Sequence, residues 1–284
     1  MSKNRSDRNR IFSESQEQQG IQRRNILEDD FGWEVPVESV PIPSQGKLYP
    51  PSSPMFGKER VNIKAMTARE EDILTSRALM VNGTVIEKLI ESCVLDHDVN
   101  VNEMLTGDRS ALMVAVRITG YGPNYTIKSN CPKCIRTDSY TFNLADLPIK
   151  RLKLDPVSPG ENRFEFKLPV SKKIVHFKFL TGKDNDLIEA ESKKMAELFP
   201  EDVVGSAVTR RLKFSILSID GITDRNKLSR FIENMPAMDS KTLRTYIKKN
   251  EPGIEMVGRM TCNFCSKVSE VSLPLGASFF WPEL

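Results

Sequence analysis

Two short cysteine pairs, Cys131-Pro132-Lys133-Cys134 and Cys262-Asn263-Phe264-Cys265, constrain this chain more than any other feature. A C-x-x-C spacing sets two sulfurs about one turn apart on a tight loop, so both can face one ion. Two such loops supply the four soft ligands that tetrahedral zinc prefers. The flanking residues agree. A β-rich run from Tyr125 to Lys128 enters the first pair and Tyr140-Thr141-Phe142 leaves it. Met256 to Met260 enters the second and Val268 to Leu273 leaves it. That is the strand, knuckle, strand pattern of a zinc ribbon.

The separation of the pairs is the unusual part. They lie 127 residues apart, where a usual ribbon closes over roughly 15–20. A domain-sized segment must leave one knuckle and return at the other, so metal binding there would count toward folding. Reduced thiols, a redox C-x-x-C and an iron–sulfur site are the competing readings. No βαβ pattern surrounds either pair, which argues against a thioredoxin-like motif. Four thiolates leave no open coordination position, so the expected zinc is structural. Cys93, in the apolar stretch Leu89-Ile90-Glu91-Ser92-Cys93-Val94, reads as a small buried residue.

Within the 284 residues, 39% are hydrophobic and 28% charged, ordinary for a soluble globular protein of up to two modest domains. No stretch approaches the roughly 20 apolar residues of a membrane span. The N-terminal residues are polar, without the apolar core of a secretory signal, and the cysteine usage suits a reducing compartment. The net charge of +3 is carried by residues 1–24, and the rest is neutral by count. A nucleic-acid-binding body generally shows a clustered basic excess, and this one does not.

The expected fold class is α+β: a small helical region plus a zinc ribbon, with a large α+β insertion between the two knuckles. Residues 1–30 read as a disordered tail, too poor in apolar surface to offset the entropy of ordering. Residues 31–60 form an extended, proline-rich arm in which Trp33, Leu48 and Tyr49 must lie against the chain's own body or a neighbouring subunit. Residues 61–149 hold helices and the first knuckle. Thr67-Ala68-Arg69-Glu70 and Thr84-Val85-Ile86-Glu87 read as capping boxes, and Asp108 as the cap of a third helix that Gly120-Tyr121-Gly122-Pro123 ends. In the insertion, residues 150–255, Phe164, Phe166 and Leu168 and then Val175, Phe177 and Phe179 alternate as a hairpin. A helix follows from Asp184 to Leu198, and Val208, Leu212, Ile216 and Ile219 form a second helical stripe. Shorter helices start near Asp224 and Asp239. Residues 256–284 carry the second knuckle and an aromatic end in which Phe279, Phe280 and Trp281 are candidate partner anchors.

Catalytic chemistry is poorly represented. His97 and His176 are the only histidines. No phosphate-cradling glycine loop, nucleophile elbow or H-E-x-x-H occurs. Asp96-His97-Asp98 reads as a solvated loop, and the scattered Lys and Arg near the knuckles as solvated side chains.

Several segments in order resemble a known family: Pro41-Ile42-Pro43-Ser44-Gln45-Gly46-Lys47-Leu48-Tyr49-Pro50, Met66-Thr67-Ala68-Arg69-Glu70-Glu71-Asp72-Ile73-Leu74-Thr75-Ser76, Leu105-Thr106-Gly107-Asp108-Arg109, Arg117-Ile118-Thr119-Gly120-Tyr121-Gly122 and Cys131-Pro132-Lys133-Cys134. In that order they are similar to the baseplate hub or hub-assembly proteins of T-even-like contractile-tailed bacteriophages. The resemblance is best over residues 36–135, and it leaves the role of the insertion open. It implies a non-enzymatic virion or assembly component, made in the host cytoplasm and placed in the tail baseplate. Its implied partners are other tail proteins, with no small-molecule substrate. The expected cofactor is one Zn2+ held by Cys131, Cys134, Cys262 and Cys265. A zinc-ribbon nucleic-acid binder is the alternative.

Overall fold

The computed structural model describes residues 35–198, 207–275 and 279–280. The tail 1–30 and the aromatics Trp33 and Trp281 lie outside them. Among the described residues no sheet exceeds three strands, so the core is closed by helices and loops rather than by a wide sheet. None of the helices among those residues is long and apolar enough to cross a membrane.

The proline-rich arm folds onto its own chain. β1 (Val37–Pro41) pairs antiparallel with β2 (Arg60–Lys64), Val40 opposite Val61. Between them the chain turns tightly at Gly46, whose φ is +70°; a Cβ there would lie 2.3 Å from the Lys58 nitrogen, so only glycine fits. Leu48 and Tyr49, expected either against the body or against a neighbour, are buried in the chain's own core. The reason is polar as well as apolar. The Tyr49 hydroxyl donates to Asp108 Oδ2 (2.7 Å) and accepts from the Leu105 N–H (2.9 Å). Ser44 donates its N–H to Asp108 Oδ1 (2.9 Å) and its hydroxyl to Oδ2 (2.6 Å). Asp108 is therefore not a helix cap as expected. It lies in the first turn of α4 (Thr106–Tyr121), fully buried, where the helix dipole favours a negative charge. Burial pushes both the Asp108 carboxyl and the Tyr49 phenol up from their ordinary values.

Of the two capping boxes, one forms. α1 (Ala68–Thr75) begins with Thr67, whose N–H and hydroxyl both donate to Glu70 Oε2 (2.9 and 2.6 Å). Lys64 and Ser92 bond the other oxygen at 2.6 Å each. Glu70 is thereby saturated and has no exposed surface, joining α1 to β2 and to α3 (Val85–Cys93). Thr84 caps α3 with no side-chain bond. A break at Ser76 separates α1 from α2 (Arg77–Asn82), and Gly83 in the left-handed region (φ +73°) ends α2. α4 runs through Gly120 and Tyr121 and stops at Gly122. Arg117, near its C-terminal end, is 1% exposed; its guanidinium donates to the carbonyls of Phe279 (2.9 Å), Gly122 (2.9 Å) and Asn124 (3.2 Å).

Hairpins β3 (Asn124–Asn130)–β4 (Thr137–Asn143) and β10 (Val257–Thr261)–β11 (Val268–Ser272) carry the cysteine pairs. The long segment between them is clamped at its base by β5 (Ile149–Lys150), which pairs antiparallel with β9 (Gly253–Ile254). Gly107 abuts this clamp: a Cβ on it would lie 1.8 Å from the Pro252 carbonyl oxygen. Within the segment, β6 (Phe164–Lys167) and β7 (Ile174–Phe177) form the expected hairpin. The second helical stripe is corrected: α6 (Ala207–Ser215) ends before Ile216, and β8 (Ile216–Ile219) adds to the hairpin as a third strand. The β-branched isoleucines favour the sheet, where Ile216 and Ile219 are buried. α5 (Gly182–Leu198) starts from a reciprocal Thr181–Asp184 box and leaves Leu187 and Met195 exposed. α7 (Arg225–Glu233) is capped by Asp224, which accepts from the Lys227 N–H. In α8 (Ala237–Asn250) the buried Asp239 accepts the N–H groups of Val170 and Ser171, pinning the β6–β7 turn. Phe164 and Phe177 belong to the same contiguous core as Val40, Leu89 and Leu112.

Two predictions follow from the buried polar groups. Tyr49→Phe removes an acceptor from the Leu105 N–H and a donor from Asp108, and should destabilise the fold by roughly 1–3 kcal/mol in urea unfolding. At Glu70, burial alone would raise the pKa, but the bonds led by Lys64 win and bring it from 4.5 to about 2. A depressed folded pKa means the stabilisation is complete above pH 4.5 and is lost as pH falls toward 2. Glu70→Gln should therefore be less stable at pH 7, by on the order of 2–3 kcal/mol, and the two unfolding midpoints should converge as pH approaches 2.

Candidate metal centre

The four cysteine sulfurs lie within 4.8 Å of one another. Cys131 Sγ is 3.6 Å from Cys265 Sγ, and Cys134 Sγ is 3.6 Å from Cys262 Sγ. A tetrahedron with Zn–S bonds of ~2.3 Å has sulfurs ~3.8 Å apart, so the set fits a thiolate-ligated tetrahedral ion. Each contacting atom is a thiol sulfur that would bind as thiolate.

The two knuckles share one backbone design. In each, the first cysteine donates its N–H to the carbonyl five residues on: Cys131 to Arg136 and Cys262 to Lys267, both at 3.0 Å. The residue four on returns a bond to the cysteine carbonyl, from Ile135 and from Ser266, both at 2.9 Å. Closing that loop needs a left-handed residue after the second cysteine, at φ +61° for Ile135 and +54° for Ser266. Backbone N–H groups point at the sulfurs. Those of Cys134 and Lys133 hold the Cys131 thiol below its usual range, and those of Phe264 and Cys265 bring Cys262 down to about 6. At Cys265 the Lys267 N–H pulls down, but burial and bonds to the other three sulfurs push the thiol up to about 11. Four sulfurs gathered this closely, two pairs of them at 3.6 Å, form an arrangement that a bound cation would stabilise.

Side chains lock the hairpins together. Asn263 Nδ2 donates to Asp138 Oδ2 (2.7 Å), and the Arg136 guanidinium lies 4.8 Å from the centre of the Phe264 ring. A Cβ on Gly258 of β10 would lie 2.4 Å from the Phe142 ring, so glycine permits the hairpins to pack this closely. Tyr125 of β3 donates to the Pro274 carbonyl and meets the Phe279 ring edge-on at 5.0 Å.

The structure thus brings together all four cysteines named from the sequence. Phe279 and Phe280 have no exposed surface and pack in the chain's own core with Leu48 and Tyr49, so these four are not a free surface. Cys93 is buried, and burial pushes its thiol up to about 12. His176 bonds Ser218 (3.0 Å), and His97 sits in an exposed loop beside Asp96, which pairs with Lys58. Sequence reasoning missed the buried role of Arg117 and the β5–β9 clamp, and read Glu70 only as a cap, without its bonds to Lys64 and Ser92. Arg117 had a signal: a lone cation amid Ala115, Val116 and Ile118 on a helix otherwise apolar there.

A family described as T4 bacteriophage base plate protein has a model that matches residues 40–281. No curated protein and no solved structure gave a match.

Ile135 is β-branched, left-handed and 78% exposed, so no burial offsets its strain, which costs roughly 1–2 kcal/mol for an L-residue. Ile135→Gly should leave the thermal midpoint equal or higher, even after the entropy that glycine adds to the unfolded chain. A marked fall would show that the Ile135 side chain holds the knuckle.

Proposed function

Because the chain belongs to the T4 bacteriophage base plate protein family, we propose that it is a structural or assembly subunit of the hub region of a contractile tail. In this reading it works without catalysis, through contacts with other tail proteins. It is made in the host cytoplasm and incorporated at the virion baseplate. Cys131, Cys134, Cys262 and Cys265 hold one structural Zn2+, giving a zinc ribbon whose halves flank the 127-residue excursion. The observation that carries the reading is the meeting of four sulfurs from two hairpins remote in sequence, in a chain whose family works in baseplates. All four sulfurs face one another, which suits a closed structural centre rather than a catalytic one. The nucleic-acid alternative is less well supported: Arg136, the most suggestive knuckle cation, is engaged with Phe264, and the body is neutral by count.

Two measurements test this. Metal analysis of the purified chain should give one zinc per chain, with a large drop in thermal midpoint on chelation and a similar drop in Cys131→Ser. Unchanged melting after complete metal loss would refute the structural zinc. Cross-linking mass spectrometry of purified tails and assembly intermediates should connect the chain to axial baseplate proteins. Links confined to the baseplate periphery, or none, would refute the hub placement.

A further inference from the structure

Away from the cysteines, a cleft of about 460 Å³ opens between α6 and α8. Leu180, Leu212 and Ile247 give it an apolar lining, and Arg211, Arg244 and Lys248 are set around it against one carboxylate, Glu251. Arg211 faces Glu251 electrostatically, and among the described residues Arg244 and Lys248 have no carboxylate within ion-pair distance. The volume is within the roughly 300–1,000 Å³ of ligand sites, and an apolar floor beneath an excess of positive charge calls for large apolar side chains flanked by carboxylates.

The chain itself contains such a segment. Ile26-Leu27-Glu28-Asp29-Asp30-Phe31-Gly32-Trp33-Glu34 holds four carboxylates and four large apolar side chains, with no Lys or Arg. Its tether bears on which molecule supplies it. β1 begins at Val37, pairs with β2 and packs on α4, whereas the cleft walls are α6 and α8. Trp33, four residues before Val37, can stray at most about 14 Å from it along a fully extended chain. That tether fastens the aromatic end of the segment to a strand none of whose residues lines the cleft, a restraint that the same segment of a second copy does not carry.

We propose that the cleft receives the segment Ile26–Glu34 of a second copy of this chain. The apolar residues seat on Leu212 and Ile247, and Glu28, Asp29 and Asp30 meet Arg211, Arg244 and Lys248. Arm and cleft are different surfaces of one molecule, so copies join either by a reciprocal two-fold exchange of arms or head-to-tail into a ring or a row. Trp33 and Phe31 are the aromatic anchors. The proposal does not depend on the metal centre.

The test uses the full chain with a photoreactive benzoylphenylalanine at position 31, mixing isotopically light and heavy copies. Light–heavy cross-links landing on α6 or α8 are expected. Arg211→Glu with Arg244→Glu should lower their yield about ten-fold through like-charge repulsion. Combining that pair with Glu28→Lys, Asp29→Lys and Asp30→Lys should restore it, a rescue that a misfolded variant cannot show. Arg211 and Arg244 are exposed, but Arg211 also faces Glu251, so where the doubly charge-reversed chain melts below the parent, Arg244→Glu alone is the variant read. Cross-links confined to a single chain, cross-links outside the cleft, or a monomer with no cross-links at any concentration would each overturn the proposal.

Discussion

Returning a chain to its starting point after 127 residues is the constraint on which the rest of this structure depends. Closing a loop of that length costs on the order of 5 kcal/mol of chain entropy, and three devices share the task. The short β5–β9 ladder joins the two ends of the excursion. Gly107 lets the start of α4 press against Pro252, just ahead of β9. The four sulfurs then meet one step beyond, at the tips of hairpins that leave this clamp side by side. A metal bound there would act on a geometry that the backbone has already assembled. That is why the knuckles can hold their N–H groups aimed at sulfur.

The same logic of distant segments tied by few groups recurs at the buried polar residues. Asp108 fastens the Ser44–Tyr49 loop to the start of α4. Arg117 fastens the other end of that helix to Asn124 and Phe279. Glu70 joins β2, α1 and α3. α4 is thus held by a carboxylate near its N-terminus and a guanidinium near its C-terminus, each matching the sign that the helix dipole prefers. In each case the partners lie far apart in the chain or on different elements, and losing one leaves a buried group unsatisfied. These are rigid connections. They suit a subunit whose work is to hold its shape inside a baseplate, the setting in which its family is found.

Local patterns were legible in the sequence where the physics is local. The hairpins around both cysteine pairs, the β6–β7 hairpin, the Thr67–Glu70 cap and the Gly122 helix end all rest on alternation, turn chemistry or a positive-φ glycine within a few residues. Readings failed where a distant partner decided. Asp108 has the composition of a cap, but Ser44 and Tyr49 claim its carboxylate. Ile216 and Ile219 keep helical spacing with Leu212, yet the open edge of β7 takes them as a strand. Leu48, Tyr49, Phe279 and Phe280 were equally consistent with a partner and with the chain's own core, because burial is a property of the whole fold.

What the sequence by itself determined was the chemistry available: four soft ligands in two knuckles, few histidines, a neutral body and an ordered set of segments resembling baseplate proteins. Ligand type and short-range spacing are written in neighbouring residues, so they could be read directly. The tertiary structure alone decided that the two knuckles face each other, that the arm folds inward, and that an apolar cleft with a cationic rim opens between α6 and α8. Those outcomes depend on which remote surfaces exclude water together, and on close approaches such as Gly107 to Pro252 and Gly258 to Phe142, which no short window of residues encodes.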